Sequence, residues 1–558
     1  MTRSTFFGLE IGKTGLTMSQ LGLDVTGHNI ANVDTKGYTR QRIVSTAYDP
    51  FGTIGRALPA SQALVGGGVN VKLHDQIRSA YLDRRYRTEN TVNAYWQKRT
   101  ESMRYLESYF DNVNEQTSIN YSVARFFQAM KVLAEDTVEG APRTLLQTAG
   151  KDLVQQLNMI YEGLIDLQDT QNQAVLVTVD EINRIADEIA QLNKSIYGFE
   201  ITGHLANDLR DKRNVLIDEL STYVDVEYRE YPDGKGHSKF EVSIGGETLV
   251  DHVETWQLGV WEITNPIPEL EAADESPVLQ VVWMKDDGSG VLIPDPGNPL
   301  LIKSGQLRAY LDMRDGDGIG NNAKGIPYYI EMLNNLARAL VQEVNTVHTQ
   351  GWTDHPVEPS STGILFFNDF GAGDVIFLRD DPDDAARITG TLYIVKQDIL
   401  KSVTARNIRL SDDIENSVYN IACSSTRIVK QGEGKPEELQ RGNNENMNAL
   451  YDLFRKKDIA LGTVATGGVS IGSFDGYVTS IRFDVGNVLN SCIKTAENCN
   501  TLTIAAENQR ISIAGVSLDE EMTNLIRYQH AYNGAARVIT AMDDALDRLI
   551  NGTGRVGL

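Results

Sequence analysis

The segment that comes closest to a metal site is an acidic loop near the middle of the chain. Asp315, Asp317 and Asn321 have the spacing of three oxygen ligands in a calcium-binding loop. Such a loop also needs an oxygen ligand at its fifth position and a bidentate glutamate at its twelfth. Ile319 and Ile326 occupy these two positions. We therefore interpret the loop as a solvated connection between helices and predict no metal site here.

The other reactive side chains form no catalytic set that the sequence can bring together. Cys423, Cys492 and Cys499 lack Cys-x-x-Cys spacing, and no histidine accompanies them as a metal ligand. The eight histidines include no His-Glu-x-x-His pair. The run Gly66-Gly67-Gly68 lacks the Lys-Ser or Lys-Thr that would make it a P-loop. We predict a chain without catalytic residues or cofactors.

Charge is distributed unevenly along the 558 residues. The whole chain carries a net charge of −24, but residues 1–99 carry +6, so the remainder carries −30. A strongly acidic body argues against general nucleic-acid binding. The apolar residues at the start are interrupted by Glu10 and Lys13, which predicts that no cleaved signal peptide is present.

The elements that organise the chain are two seven-residue apolar repeats at its opposite ends. The first repeat consists of Leu9, Leu16, Leu23 and Ile30. The second consists of Leu518, Leu525, Tyr532, Ile539 and Leu546. This period indicates a helical seam, as in a coiled coil, that packs against another helix. The two ends either pair with each other or form one layer of a larger assembly, which is typical of a building block rather than an enzyme.

Glycines also recur every seven residues beside the N-terminal repeat, at Gly8, Gly15 and Gly22. Each glycine costs a helix about 1 kcal/mol relative to alanine. We infer that this segment is disordered alone and becomes helical only when packed against a partner. The small-residue spacing is also found in membrane-spanning helices, but the charges of Glu10, Lys13 and Asp24 argue against a span here, and we predict no contact with a membrane.

Periodicity divides the chain into helical ends and a strand-rich middle. The predicted fold class is α+β, with an elongated helical bundle stalk built from both chain ends and β-rich domains inserted in the middle. The predicted domains are a terminal axial helical domain (1–74 and 505–558), a helical bundle (75–222 with 304–350 and 416–504), an inserted β-rich domain (223–303) and a small β/loop region (352–415). Alternation in 240–244 and the turn signal Gly245-Gly246 support the β-rich assignment.

Two terminal motifs resemble those of a known family. The run from Asn29 to Tyr38, Asn-Ile-Ala-Asn-Val-Asp-Thr-Lys-Gly-Tyr, resembles the N-terminal signature of the flagellar rod, hook and hook-associated proteins. The run 515–549 resembles the matching C-terminal motif. The runs 208–213 and 442–446 look like internal landmarks of a hook-associated member. Lys36 stands where the family often has proline, although Gly37 still gives the turn conformational freedom.

The resemblance implies a structural adaptor that joins hook to filament and is required for filament assembly. It implies an extracellular location in the flagellum, reached through type III export without cleavage. The implied partners are further copies in a ring, the hook protein, a second hook–filament junction protein, an export chaperone and the export apparatus. Neither nucleic acid nor a membrane is among them.

Residues for these roles follow from the signature and the repeats. The predicted assembly interface comprises the two apolar repeats together with Asn32, Gly37 and Tyr38. The C-terminal apolar face would also be the chaperone's target, because it lacks a cover before assembly. The predicted chaperone contacts are Met522, Leu525, Ile526, Tyr532, Ile539 and Met542.

Two alternatives remain open at the level of sequence. Within the family, the chain could be a hook subunit or a distal rod subunit, although the long helices predicted in 75–222 favour the hook-associated role. In a different class, it could be a secreted adhesin or surface enzyme whose middle domain binds a ligand.

Overall fold

The structure is a computed structural model, and it describes most of the chain. The described residues are 7–47, 67–110, 118–201, 203, 205–234, 238–273, 275–289, 291–320, 322–356, 360–370, 375–377, 393–395, 397–428, 442–463 and 469–552.

Helices dominate both ends of the chain. The described helices are α1 (Phe7–Ala31), α2 (Ala80–Phe110), α3 (Ile119–Glu135), α4 (Gly140–Glu200), α5 (Asn207–Tyr223), α6 (Pro268–Ala273), α7 (Gln306–Asp315), α8 (Ile326–His348), α9 (Gln397–Lys401), α10 (Asp412–Asn416), α11 (Glu445–Asp452), α12 (Phe474–Ala514) and α13 (Leu518–Gly552). The 61 residues of α4 make it about 90 Å long at 1.5 Å per residue. It is the longest of the described helices.

Strands lie mainly between α5 and α7. The described strands are β1 (Gln41–Ala47), β2 (Val69–Gln76), β3 (Val226–Pro232), β4 (Ser238–Ile244), β5 (Glu247–Asp251), β6 (Glu254–Thr255), β7 (Leu258–Ile263), β8 (Val278–Asp286), β9 (Leu292–Pro299), β10 (Trp352–Thr353), β11 (Val375–Phe377), β12 (Tyr393–Val395), β13 (Ala422–Ser424), β14 (Ile459–Thr463) and β15 (Val469–Gly472). Two antiparallel sheets stand in sequence, one ordered β3-β4-β5-β6 and the other β7-β8-β9.

Local sequence explains the hairpin between β4 and β5. Ile244 pairs with Glu247, and the two glycines between them, Gly245 and Gly246, have φ angles of 58° and 88°. A two-residue turn of this type requires positive φ at both positions, which glycine adopts without steric cost. In β4, Phe240, Val242 and Ile244 are buried and the residues between them are not, which turns one face of the sheet inward.

Apolar side chains collect into two cores that meet along α4. The first core takes the N-terminal half of α4, with α2, α3, α8, α11 and α12 around it; Phe126, Phe127, Phe366 and Phe367 form its aromatic centre. The second core takes the C-terminal half of α4 and packs it, with α5, against the two sheets. One helix therefore contributes to both halves of the body.

The structure confirms the predicted fold class, since paired terminal helices form a stalk and the sheets come from the middle of the chain. Two of the predicted helical domains also contain strands that the sequence did not indicate. The antiparallel ribbon of β1 and β2 begins within the predicted terminal domain 1–74, and the antiparallel pair of β14 and β15 lies within 416–504. The bounds of the domains stay predictions.

Candidate functional site: the terminal helix pair and its junction

The two ends of the chain pack against each other as an α1–α13 pair. A methyl group built at Gly12 would lie 2.8 Å from Ile539 Cγ1, and one built at Gly22 would lie 2.5 Å from Tyr528 Cδ1. Neither separation leaves room for a side chain. The glycines of α1 therefore form the surface on which the larger side chains of α13 rest.

This contact uses a different stripe of α1 from the one predicted. The buried residues of α1 are mostly small or polar, namely Gly12, Ser19, Gly22, Val25, Thr26 and Asn29. Leu9, Leu16, Leu23 and Ile30 are only half-buried. On α13, the predicted Leu525, Tyr532, Ile539 and Leu546 are also half-buried. The pair thus leaves part of both apolar repeats accessible.

The start of α13 carries apolar side chains that stay half exposed in the described part of the monomer. Leu518, Met522 and Ile526 are 48%, 51% and 51% exposed. They follow each other at four-residue spacing, so they form one stripe on the helix. Val538, Leu549 and Ile550, farther along α13, are exposed as well. Contiguous exposed apolar surface is typical of surfaces that contact another protein.

Below the helix pair, Asn29 organises a network of hydrogen bonds. Its Nδ2 donates to Gln41 O at 2.9 Å and to Glu521 Oε2 at 3.1 Å. Its Oδ1 accepts from Tyr38 Oη at 2.8 Å and from Gln41 N at 3.0 Å. Because Asn29 is fully buried, its amide needs all these partners. Asn29 therefore connects α1 to Tyr38 of the N-terminal signature, to β1 and to α13.

Arg40 joins the N-terminal segment to the start of α13. Its guanidinium donates from Nε to Glu521 Oε1 at 2.8 Å and from Nη1 to Glu520 Oε2 at 2.5 Å. Its backbone N donates to Ala514 O at 2.8 Å, at the end of α12. Glu521 is buried, so its charge depends on Arg40 and Asn29 for compensation.

Asp211 of α5 connects the body of the protein to the same segment. Its Oδ2 accepts from Thr39 N at 2.9 Å, and its Oδ1 lies 3.4 Å from Arg78 Nη1. Arg78 also pairs with Asp83 of α2 at 2.6 Å. Burial raises the pKa of the Asp211 carboxyl to about 6, although the Thr39 bond and the charge of Arg78 oppose that rise.

Asp208, one helical turn before Asp211, makes the second connection. Its Oδ1 accepts from Gln41 Nε2 at 2.8 Å and lies 3.3 Å from His28 Nε2. Burial, followed by the nearby charges of Asp208, Asp211 and Glu521, raises the pKa of Tyr38, so its hydroxyl stays neutral and donates to Asn29. We call this set of contacts the polar junction; it comprises Asn29, Tyr38–Gln41, Arg78, Asp208, Asp211, Glu520 and Glu521.

Two cavities lie on either side of the loop 32–38. One, of about 600 Å³, extends toward Tyr86 of α2 and Arg510 of α12. The other, of about 790 Å³, extends toward Leu192 of α4. Thr35, Lys36, Tyr38 and Val215 line both of them. The loop contacts α5 where Gly37, with φ of 78°, lies so close to Val215 that a Cβ would overlap its methyl group.

The signature residues predicted as interface therefore have distinct positions. Tyr38 belongs to the polar junction and Gly37 contacts α5. Asn32 lies at the end of α1, where it donates to His28 O at 3.0 Å and accepts from Thr35 Oγ1 at 3.2 Å. Sequence reasoning missed Asn29, Arg40, Asp211 and Glu521 as site residues. Asn29, Asp211 and Glu521 lay inside three of the recognised runs, 29–38, 208–213 and 515–549, which was the available signal.

The second internal run, 442–446, serves a different part of the body. Asn444 Nδ2 donates to Ala134 O at 2.6 Å and Asn446 Nδ2 donates to Ala422 O at 2.8 Å. These amides fasten the start of α11 to the end of α3 and to β13. The run supports the first core and lies apart from the polar junction.

The candidate metal loop is occupied by internal contacts. The Asp315 carboxylate accepts two bonds from Arg314, at 2.6 and 2.7 Å. Asp317 accepts from Ile319 N and from Asn322; Asn321 lies outside the described residues. Within the described ranges, no group of three or more His, Cys, Asp or Glu residues could hold a metal ion.

One catalytic sequence pattern also occurs, at Gly468-Val469-Ser470-Ile471-Gly472. In esterases this spacing places the serine on a sharp turn between a strand and a helix. Here Ser470 lies inside β15, and α12 begins only at Phe474. The backbone setting therefore differs from a nucleophile elbow.

No helix in the described part of the chain is long and apolar enough to span a bilayer.

Comparison with known proteins agrees with this architecture. The family model described as the helical domain of flagellar hook-associated protein FlgK matches residues 103–367. The models for flagella basal body rod protein and for the C-terminal part of basal body rod FlgEFG protein match residues 9–39 and 507–552. The two terminal matches coincide with the α1–α13 pair. The chain is therefore similar, at both ends and through its first core, to the rod, hook and hook-associated proteins of the bacterial flagellum.

Full-length relatives narrow the resemblance to one member of this family. Flagellar hook-associated protein 1 of Bacillus subtilis is 27% identical over 99% of both chains. The protein of the same name from Salmonella typhimurium is 25% identical over 96% of this chain and 98% of its own. The flagellar hook junction protein FlgK of Burkholderia pseudomallei has the same fold, with a TM-score of 0.52, 14% identity and coverage of 78% of this chain and all of the other. The chain is thus a homologue of hook-associated protein 1.

Proposed function

We propose that the chain is a structural adaptor at the junction between flagellar hook and filament, and that filament assembly requires it. The observation that carries this proposal is the α1–α13 pair, which brings together both family motifs and leaves an apolar stripe uncovered. The full-length relatives named flagellar hook-associated protein 1 support the same role. The adaptor works by contact alone, without a catalytic step.

Further copies of the chain are the first partners that the stripe would bind. Leu518, Met522 and Ile526, with the half-buried Leu9, Leu16, Leu23 and Ile30, form the proposed assembly interface together with the apolar repeat of α13. In a ring of subunits, this surface would be covered by the neighbouring copy. The hook protein and a second hook–filament junction protein would contact the two ends of that ring.

Before assembly, the same face of α13 would bind an export chaperone. Met522 and Ile526 are accessible to it at once. Leu525, Tyr532, Ile539 and Met542 are half-buried, and Ile539 and Met542 rest on Gly12 and Gly8 of α1. The type III export apparatus would then carry the chain, without cleavage, to its place outside the cell.

The test of the assembly interface is the substitution Ile526→Asp in the cell's own copy of the chain. Because Ile526 is exposed in the monomer, the purified variant should unfold at the same temperature as the parent chain. A charge buried between subunits costs several kcal/mol unless it is paired, so filaments should be absent. The matched control, Ile526→Leu, keeps the apolar surface and should form filaments. Filaments of normal length on the aspartate variant would exclude this interface.

The position of the subunit is tested by labelling. A copy tagged in an exposed loop should be seen by electron microscopy as a single band between hook and filament. A label along the whole hook would instead favour a hook subunit. A label inside the basal body would favour a distal rod subunit.

A further inference from the structure

The described chain has an apolar groove as well as the apolar stripe at the start of α13. The groove is the cavity of about 790 Å³ between α4, α5 and the loop 32–38, and we call it the α4–α5 groove. Leu192 of α4 and Val215 and Leu216 of α5 form its apolar part, and all three side chains are half-buried. Each of them therefore remains partly accessible to another protein.

The other cavity beside the same loop is less suited to an apolar partner. Arg78, Asp83, Asp218 and Arg510 contribute charged groups to its wall. Ion pairs already join Arg510 to Asp218 at 2.5 Å and Arg78 to Asp83 at 2.6 Å. An apolar side chain that entered this cavity would remove water from the charged groups without replacing the lost hydrogen bonds. Of the two cavities, the α4–α5 groove is therefore the one that fits an apolar partner.

The stripe and the groove both border the polar junction. Glu520 and Glu521 of the junction directly precede Met522 of the stripe in α13. Tyr38 and Asp211 of the junction line the groove. Because one network of hydrogen bonds connects both sets, the stripe and the groove lie at the same level of the molecule. Copies that stand side by side around a ring would therefore bring the stripe of one copy level with the groove of the next.

Charges at the edges of the two surfaces are complementary. Lys36 of the loop and Lys212 of α5 are exposed at the edge of the groove. Asp519, in the first turn of α13, is exposed beside the stripe. Farther along the stripe Arg527 is exposed, and Glu188 at the α4 edge of the groove has the opposite charge. Opposite charges at the edge of an interface guide association and fix its orientation.

We propose that the stripe of one copy of the chain occupies the α4–α5 groove of the next copy, so that Met522 and Ile526 pack against Leu192 and Leu216. The inference rests on the proposed function, because it names the surface that covers the stripe in the ring. Two different patches meet in this contact, and repeated contacts of this heterologous kind form a ring when the rotation between copies closes. A symmetrical contact of stripe against stripe would instead stop at a pair of copies.

Cross-linking in assembled flagella tests which surfaces meet. Thr523→Cys beside the stripe and Ser195→Cys at the groove replace small exposed side chains, and Cys499→Ser removes the partly accessible native thiol. After isolated flagella are treated with a short bismaleimide, the chain that carries both new cysteines should migrate as dimers and higher multimers. Either cysteine alone should leave the chain monomeric. Cross-linked dimers from Thr523→Cys alone would mean that stripes meet each other and would overturn the proposal.

The control for this experiment combines Thr523→Cys with Gln173→Cys, which is exposed on α4 about 30 Å from Ser195 along the helix. This pair should give no multimers. If flagella with normal filaments contain the chain with Thr523→Cys and Ser195→Cys but yield only monomers, the proposed contact is wrong while the adaptor role stands. If the chain is absent from isolated flagella, the proposed function itself fails, and this contact fails with it.

A charge placed in the groove tests the same contact through assembly. Because Leu192 lies outside both apolar cores, purified Leu192→Asp should unfold at the same temperature as the parent chain. Cells that make only this variant should export it to the medium but form no filaments, since the aspartate would be buried against the stripe of the next copy. Leu192→Met keeps the groove apolar and should form filaments. A folded Leu192→Asp chain that supports filaments of normal length would overturn the proposal.

Discussion

At the scale of single residues, the glycines of α1 differ from one another in what surrounds them. Gly22 lies against the ring of Tyr528, and a methyl group there would overlap that ring at 2.5–2.7 Å. Gly27 has no atom of another part of the chain within 4 Å of its built Cβ and is exposed to solvent. A substitution at Gly27 therefore changes only the helix propensity of α1, whereas a substitution at Gly22 also disturbs the packing of α1 against α13.

We predict opposite outcomes for Gly22→Ala and Gly27→Ala. The first forces Tyr528 away and should destabilise the α1–α13 pair by about 1–3 kcal/mol. The second meets no obstacle and should stabilise α1 by about 1 kcal/mol through helix propensity alone. Hydrogen exchange of the α1 amides in the full-length monomer measures both changes. Equal effects of the two substitutions would mean that α1 does not rest on α13 in the monomer.

At the scale of elements, the sheets and the long helix α4 share one core. Val179, Ile182 and Ile185 of α4 are buried with Val242 of β4 and Trp283 of β8. The sequence suggested a domain confined to 223–303, and that boundary stays a prediction. The shared core indicates that an independently folding unit would also include α5 and residues 175–200.

Excising residues 226–302 and joining the ends with a short linker tests this boundary. The deletion exposes the apolar face of α4 from Val175 to Ala190 to water. This exposure lowers the free energy of unfolding by about 25 cal/mol for each Å² of apolar surface. Amides in 175–200 and 207–223 should lose protection from hydrogen exchange, while those in 146–164, buried in the first core, should keep theirs. If the amides in 175–200 and 207–223 keep their full protection, the β-rich domain begins after Tyr223, as the sequence predicted.

Helical and strand periodicity therefore predicted elements better than it predicted their contacts. Periodicity predicted the long helices in 75–222, and the Gly245-Gly246 signal predicted the β4–β5 turn, because both depend on neighbours along the chain. The bond from Asn29 to Glu521 joins residues 492 positions apart. No local pattern encodes such a pairing, so the motifs could be recognised in the sequence but the hydrogen bonds that join them in the polar junction could not be predicted.

At the scale of the whole molecule, the proposed chaperone would compete with α1 for α13. Its half-buried side chains Ile539 and Met542 already rest on α1, whereas Met522 and Ile526 are free to contact another protein. A chaperone that needs all of these side chains must displace α1, and the free energy of the α1–α13 contact would be subtracted from its binding energy. The glycines of α1 lower the stability of that helix, which favours its displacement from α13 by the chaperone.

We therefore predict that removing residues 1–31 strengthens chaperone binding. Calorimetric titration of the cognate chaperone should give a lower Kd for the shortened chain than for the full-length chain, and the peptide 517–551 should match the shortened chain. Gly22→Ala in the full-length chain should move the Kd in the same direction, since it weakens the α1 contact. Gly27→Ala is the matched control and should leave the Kd unchanged or raise it slightly. If the Kd of the shortened chain equals that of the full-length chain, the chaperone binds only the stripe that contains Met522 and Ile526. If a chain truncated after Ala514 binds as tightly as the whole, α13 is not the target.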